Sequence, residues 1–407
     1  MAAALRLGVL CTLCVLCGGG SEATAQTAQE PAAPQAVATK DLQAAIDKLG
    51  DLDYDTRTSA SRTVRRTESM QAVPALLQAV AEHRDGYVRY RALVLLTGFN
   101  DPRTNDAIRE SLKSPNDRLR TVAYSYLEHH PNRAMLPELL AALNTELAEF
   151  VRPALIRALA AAGDDPRVQS VLVRETTRGE DFFRSGVIEA LGDYKAGYAF
   201  GVLAKVAVLE GPLQDDAALA LGKIGDKRAL EILAGLQRSA PRATQPTIAA
   251  SICLLGVNCE SHENYLIQTL RFADTNPGFQ ELLRGTASGL GALGVGGHDD
   301  VITPLLQVGI PSRDPVRAPI ALALATIALR NPPVMLTFLE KNRMPASNQP
   351  VYEERGVLNL LAEGFDMLEE DLDKERFFAL VRRTYWQSAE KSTARTVMQR
   401  LIGELAF

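Results

Sequence analysis

The chain has 407 residues, of which 46% are hydrophobic, 23% charged and only 6% aromatic, and its formal net charge is −5. So much apolar content excludes a disordered chain, and the length allows two or three globular domains or one extended repeat array. The acidic balance argues against a dedicated nucleic-acid binder, which needs a basic surface to displace counterions, and the scarcity of rings argues against a stacking platform for single strands.

Residues 1–25 read as an export signal. Arg6 gives a positive start, Leu7 to Cys17 is an apolar run of 11 residues, and Ala23-Thr24-Ala25 has the small-x-small form of a cleavage site. The run is shorter than the roughly 20 apolar residues that a membrane anchor needs, so no transmembrane span is expected in the mature chain. A lipid anchor at Cys17 is a second reading, although Leu16 stands where such sites take a small residue. The protein is therefore expected in the periplasm or outside the cell. Residues 26–38, rich in Gln, Ala, Thr and Pro, read as a disordered linker. Cleavage removes Cys11, Cys14 and Cys17 and leaves Cys253 and Cys259. Two cysteines supply neither a disulfide-rich framework nor a four-ligand zinc site.

From residue 39 onwards the chain repeats itself. Arg57, Arg89, Arg120, Arg152 and Arg184 fall at intervals of 32, 31, 32 and 32, and seven residues after each stands Val64, Leu96, Leu127, Leu159 or Leu191. Each period holds two helical patterns. Ala72–Val80, Leu136–Leu143 and Ile302–Val308 read as first helices with proline near the start, and a second helix begins beside each arginine. Asp85, Asp117 and Asp181 are placed to cap second helices, and Gly163, Gly192 and Gly225 to close them. Because a guanidinium has five donors in a fixed fork, the arginine column reads as a structural ladder bridging acidic caps and tying repeats together. Thr247 with Leu254, Leu283 with Leu290, Arg317 with Leu324, Glu354 with Leu361 and Arg395 with Ile402 continue the pattern less regularly. About eleven helical pairs result, and 369–407, which carries the only tryptophan, Trp386, reads as a terminal cap over the last apolar face.

The segment Ala217-Ala218-Leu219-Ala220-Leu221-Gly222-Lys223-Ile224-Gly225-Asp226-Lys227-Arg228-Ala229-Leu230 and the junctions Asp101-Pro102-Arg103 and Asp165-Pro166-Arg167 resemble the HEAT-repeat family, in particular its short bacterial form in phycobilin-lyase-type proteins. The resemblance implies an all-α, right-handed solenoid over 39–407. It also brings two function classes. One is a non-enzymatic scaffold that binds a protein or peptide on its concave face; the alternative is a lyase or cofactor-handling enzyme of the phycobilin-lyase type.

The chemical motifs favour the first class. Gly289-Leu290-Gly291-Ala292-Leu293-Gly294 has the dinucleotide-binding spacing but lies inside a helical pattern rather than after a strand, so close helix packing explains it. Ser388-Ala389-Glu390-Lys391 lacks the companion elements of penicillin-interacting enzymes. His129-His130 reads as a solvated helix end, His298 as a cap, and only His262-Glu263 has the form of the His-Glu pairs that hold iron in HEAT-type hydroxylases. No catalytic residue, metal or cofactor is expected. Two readings stand for Cys253 and Cys259: a disulfide, if Gly256 and Asn258 turn the chain back, or a buried Cys253 with a free Cys259. Five residues past each anchor the side chain should face the concave side, and in the middle and later repeats this column gives Arg157, Glu189, Ile252, Ser288 and Leu322 as candidate partner-binding residues.

Overall fold

The computed structural model describes residues 33–342, 354–405 and 407. The export signal, Cys17 and residues 26–32 of the linker lie outside the described residues. First helices are α1 (Thr39–Asp47), α3 (Ser69–Glu82), α5 (Thr104–Ser111), α7 (Leu136–Thr145), α9 (Pro166–Glu175), α11 (Phe200–Ala207), α13 (Ala229–Ser239), α15 (Cys259–Thr275), α17 (Ile302–Gly309), α19 (Pro332–Lys341) and α21 (Asp371–Gln387). Their partners are α2 (Tyr54–Arg65), α4 (Gly86–Thr97), α6 (Asp117–His129), α8 (Arg152–Ala161), α10 (Asp181–Asp193), α12 (Gln214–Ile224), α14 (Gln245–Leu254), α16 (Gln280–Val295), α18 (Arg317–Arg330), α20 (Glu354–Leu368) and α22 (Thr393–Glu404). The eleven pairs stack as a right-handed α-solenoid, each second helix from α2 to α20 packing on the next in an inner layer. Among the described residues no single helix is long and apolar enough to cross a membrane.

The aliphatic residues seven past each anchor form the spine of this layer: Val64, Leu96, Leu127, Leu159 and Leu191 are all buried. Two apolar clusters make up the core, and they meet within α14, where Ile248 and Ile252 belong to one and Ala250 and Cys253 to the other. Small residues let second helices approach closely. A Cβ on Gly222 would lie 2.6 Å from Ser251 Cα of the next second helix, and one on Gly364 would meet the Ala321 carbonyl. Gly289 and Gly291 play the same part, against Ala250 and Ala323, so the glycine motif is a packing device in α16.

The arginine ladder is structural, but its main acceptors are backbone carbonyls. Arg57 donates to the carbonyls of Asp51 and Leu52, Arg89 to Val80, Arg120 to Ser114, Arg152 to Glu146 and Arg184 to Thr176. Each acceptor lies at or just past the end of the preceding helix, where carbonyls have no intrahelical partner. The guanidinium therefore closes the first helix of its own pair while starting the second. Among the described residues only Arg120 and Arg184 of the five also bind acids, Arg120 reaching Asp117 and Glu146, and Arg184 reaching Asp181. In the next two pairs Gln214 and Gln245 perform the same closure on the carbonyls of Ala207 and Ala240, so Gln245 rather than Thr247 is the anchor there. Arg317 and Arg395 resume it on Gly309 and Ser388.

Several local expectations are corrected. Asp85 caps α4 through the Tyr87 amide, but α6 is capped by Asn116, and Asp117 and Asp181 lie inside first turns, where they pair with arginine. Of the three closing glycines Gly225 alone is left-handed, at φ 82°, while Gly192 is inside α10. Pro74 is the sixth residue of α3 rather than part of its first turn. The end of the linker is tied down: Gln35 exchanges backbone hydrogen bonds with Arg66 and Glu68, and the Val37 amide donates to Gln71.

The last pair differs most from a simple cap. Helix α22 packs against α19 and α20 and covers the end of the stack through Val397, Met398, Leu401 and Ile402. Helix α21 leaves the stack and lies against α4, α6 and α18, joining the ninth pair to the second and third.

Candidate functional site

The charged group with the most convergent geometry is built where α21 meets the ends of the second helices. The acidic run Glu369-Glu370-Asp371-Leu372-Asp373-Lys374-Glu375 spans the turn that precedes α21 and the start of that helix. Glu375 forms a buried bidentate pair with Arg65 at the end of α2, with Nη2 to Oε2 at 2.6 Å, and Arg382 donates to the Arg65 carbonyl at 2.6 Å. Asp371 accepts from the Tyr90 hydroxyl and pairs with Arg91 at 3.1 Å, both on α4. Asp373 faces His129 at 2.7 Å on α6 and Arg330 at 3.2 Å on α18, and Arg330 also holds Glu370 at 2.6 Å.

Arg330 further lies 3.7 Å from Glu128 of α6. The third and ninth pairs therefore approach each other on the edge where second helices end, and α21 closes that edge. From this point the network runs back into the inner layer. Glu128 accepts from Arg157 at 2.8 Å and from the Tyr194 hydroxyl at 2.8 Å, and Asp193 pairs with Arg157 at 2.9 Å and with Lys223 at 2.6 Å.

The electrostatics follow from burial set against pairing. Burial alone would raise the Asp373 carboxyl, but the His129 hydrogen bond and the Arg330 charge outweigh it and hold the group well below the ordinary carboxylate range. Asp193 behaves alike: burial raises it, and Lys223 and Arg157 bring the net value down to about 2. Glu370 goes the other way, because burial and the neighbouring Asp373 outweigh Arg330. Glu189 is raised too, first by its surroundings and then by the Asp216 charge, although the side chain keeps open access to solvent. A wetted carboxylate enclosed by protein on most sides is what the floor of a concave face provides.

The expected partner-binding column is therefore divided. Arg157 is half-buried in the network, Glu189 and Ser288 are exposed, and Leu322 is half-buried. Ile252 is a core residue, 6% exposed, because α14 is covered by α12, α15 and α16, so it presents no surface to a partner. His129, expected to be a solvated helix end, is instead bonded to Asp373. Cys253 and Cys259 are brought together, their sulfurs in bonding contact and their Cα atoms 4.2 Å apart. Helix α14 ends at Leu254, and Gly256 and Asn258 take positive φ values of 72° and 46° that reverse the chain before α15. The acidic residues of α21 and their partners Arg65, Glu128 and Arg330 were not foreseen; the only signal was the density of charge after residue 368.

A second surface feature lies on the opposite edge, where the first helix of a pair passes into the second, in the connecting loops and on the first turn of α10. Leu147 and Phe150 in the fourth pair are 87% and 85% exposed, and Phe182 in the fifth and Val208 and Leu209 in the sixth are exposed as well. Consecutive pairs stack, so these side chains lie at the same end of three neighbouring pairs.

Residues 42–128 and 73–160 match the profile of HEAT repeats. Residues 42–160 of this chain thus match HEAT repeats. Among curated proteins, none matches this sequence. Solved structures of similar fold include YibA of Escherichia coli, at 16% identity over 54% of this chain and 82% of that one, with a TM-score of 0.40. The CpcE–CpcF complex of phycocyanin lyase from Nostoc is similar at 20% identity over 54% of this chain and 88% of that one, with a TM-score of 0.34. The karyopherin Kap121p, solved bound to Ste12p, is matched over 90% of this chain but 46% of its own length, at 12% identity and a TM-score of 0.30. These likenesses concern the helical-repeat fold alone.

Proposed function

We propose that this chain is an exported, non-enzymatic scaffold that holds a protein or peptide along the open edge of its solenoid and the adjoining inner surface beyond Glu189. One observation carries the reading: Leu147, Phe150, Phe182, Val208 and Leu209 are exposed large apolar side chains at the junctions between first and second helices of three consecutive pairs, Phe182 on the first turn of α10. Monomeric proteins rarely leave such side chains together in water unless the patch is an interface. A partner confined to the inner surface of the first repeats would have to displace α21, whereas the open edge is accessible as it stands. Export rests on the composition of residues 1–25.

Photo-crosslinking residues placed at Phe150 and Phe182 in the full chain test this, with Glu231 on the outer helix α13 as a control. The expected outcome is one and the same crosslinked protein from both junction positions in the envelope fraction and none from Glu231. Identical crosslinking from all three, or none from the junctions, removes the proposal. Substituting Leu147→Glu and Phe150→Glu should abolish the crosslink from position 182 while hardly moving the melting temperature.

A further inference from the structure

The turn that reverses the chain after α14 brings four metal-ligating side chains together. Sγ of Cys253 and Cys259, a carboxylate oxygen of Glu263 and a ring nitrogen of His298 all lie within 4.8 Å of one another. Glu263 Oε1 is 3.8 Å from Cys253 Sγ, 3.4 Å from Cys259 Sγ and 2.7 Å from His298 Nδ1, and that nitrogen is 3.9 Å from Cys259 Sγ. A tetrahedral zinc ion with bonds of about 2.0–2.3 Å keeps its ligand atoms about 3.3–3.8 Å apart. The two Cys–Glu263 separations and the Cys259–His298 separation are already within about 0.1 Å of that range, whereas Glu263 and His298 must move apart by at least about 0.6 Å and the two sulfurs must part from bonding contact.

The surroundings suit a cation held by thiolates. Cys259 is the first residue of α15, a helix of 17 residues, so its sulfur stands where the helix dipole favours negative charge. Glu263 is one turn further along the same helix, which places its carboxylate beside that sulfur. His298 arrives from the junction after α16, 39 residues beyond Cys259, and Cys253 closes the set from the last turn of α14. Three helices are thereby joined at the point where the two apolar clusters of the core meet.

We propose that the reduced pair Cys253 and Cys259, with Glu263 and His298, forms a binding site for one zinc ion, and that the disulfide is the metal-free state of the same residues. The chemistry balances in both directions. Two small-molecule thiols reduce the disulfide: they give up two electrons and two protons and leave as their own disulfide, and Cys253 and Cys259 become two thiols. Zinc binding then displaces both thiol protons to solvent, and His298 coordinates as neutral imidazole. In reverse, a small-molecule disulfide accepts the two electrons of the thiolates and leaves as two thiolates, Cys253 and Cys259 become bonded, and the zinc ion departs. The site would act as a clasp between the seventh, eighth and ninth pairs whose strength follows the redox state of its surroundings.

The test uses the full chain, reduced with a phosphine, freed of metal and titrated with cobalt(II) and then zinc(II). One cobalt per chain is expected, with the visible bands of a tetrahedral ion and the near-ultraviolet thiolate-to-cobalt band. One equivalent of zinc should bleach both and protect both cysteines from alkylation. The half-exposed ligands are changed separately, since His298→Ala and Glu263→Gln leave the core intact. Each should weaken zinc binding at least tenfold with unchanged helical content. The proposal is overturned if the reduced chain takes up no cobalt, or if uptake shows no thiolate band. It is equally overturned if both substitutions leave the affinity unchanged, or if the cysteines stay paired under the phosphine, because a pair never present as thiols binds no metal.

Discussion

Separating Arg65 from Glu375 tests whether α21 is held by its buried charges. Their side chains are 7% and 3% exposed, and Glu375 accepts at 2.9 and 3.0 Å from the Arg65 Nε and at 2.6 Å from Nη2. Removing one member leaves a desolvated charge without its partner, which costs about 3–5 kcal/mol, a shift of about two to four powers of ten in the equilibrium for docking α21. Replacing both by apolar residues of similar volume is often nearly neutral for an isolated pair. Here Arg382 also faces Glu375 and its value is pulled down to about 10, first by burial, so the double variant should keep a cost of about 1–2 kcal/mol. The coupling between Arg65→Met and Glu375→Leu should therefore exceed about 2 kcal/mol. Repeat arrays unfold in parts, so the assay needs a probe on the helix itself. Trp386, the only tryptophan, lies on α21, and its fluorescence in a urea titration follows that helix while circular dichroism follows the whole array. Additive single effects, or single effects below about 1 kcal/mol, would refute the argument that these charges hold α21.

Other outcomes follow from the packing and the titrating groups. Gln214→Leu should destabilise the sixth pair by about 1–3 kcal/mol in urea unfolding, because it strips the buried Ala207 carbonyl of its donor. Arg152→Met should cost about 1 kcal/mol by the same loss at Glu146. Gly222→Ala should cost about 1–3 kcal/mol by pushing α12 from Ser251, whereas Gly235→Ala, with nothing within 4 Å, should be neutral or stabilising in the same melts. Asp193, held at about 2, and Asp373, also depressed, contribute stability that is present above their unfolded value near 4 and is lost as pH falls through the folded values. Glu189, Glu370, Asp215 and Asp216 are raised, so they favour the fold as they protonate and oppose any loss between neutral pH and about 5. His130 and His262 are lowered by burial and so take stability away as pH falls below their unfolded value near 6.5, opposing the raised carboxyls. The melting temperature should therefore change little from pH 7 to about 5 and fall steeply below about 4, and a steep loss complete above about pH 5 would contradict these directions.

The sequence by itself determined the helix pairs, their period and the anchors, because the interactions involved are local. An anchor guanidinium reaches a carbonyl only 5 to 9 residues back in the first five pairs, so the repeat contains both partners. The aliphatic position seven residues on is buried for the same reason: every pair presents that face to the next. Anchors that change type are harder to read, and Gln214 and Gln245 escaped a search for arginine although they meet the same need.

Tertiary structure alone decided where the chain closes. Arg65 meets Glu375 across 310 residues, and Tyr90 meets Asp371 across 281, separations that no repeat period encodes. In sequence the run Glu369 to Glu375 has the composition of a solvated helix face. It becomes a buried latch because small curvatures between successive pairs add up until the ninth approaches the third. Packing of neighbouring helices decided which column positions stay open, leaving Glu189 in water and Ile252 in the core under α12, α15 and α16. The cysteine turn lies between these cases: Gly256 and Asn258 signal the reversal locally, while His298 reaches the sulfurs only because the eighth pair folds back over α14. Short-range hydrogen bonding and helical periodicity are written in consecutive residues, whereas the meeting of distant charges depends on the accumulated shape of the whole array.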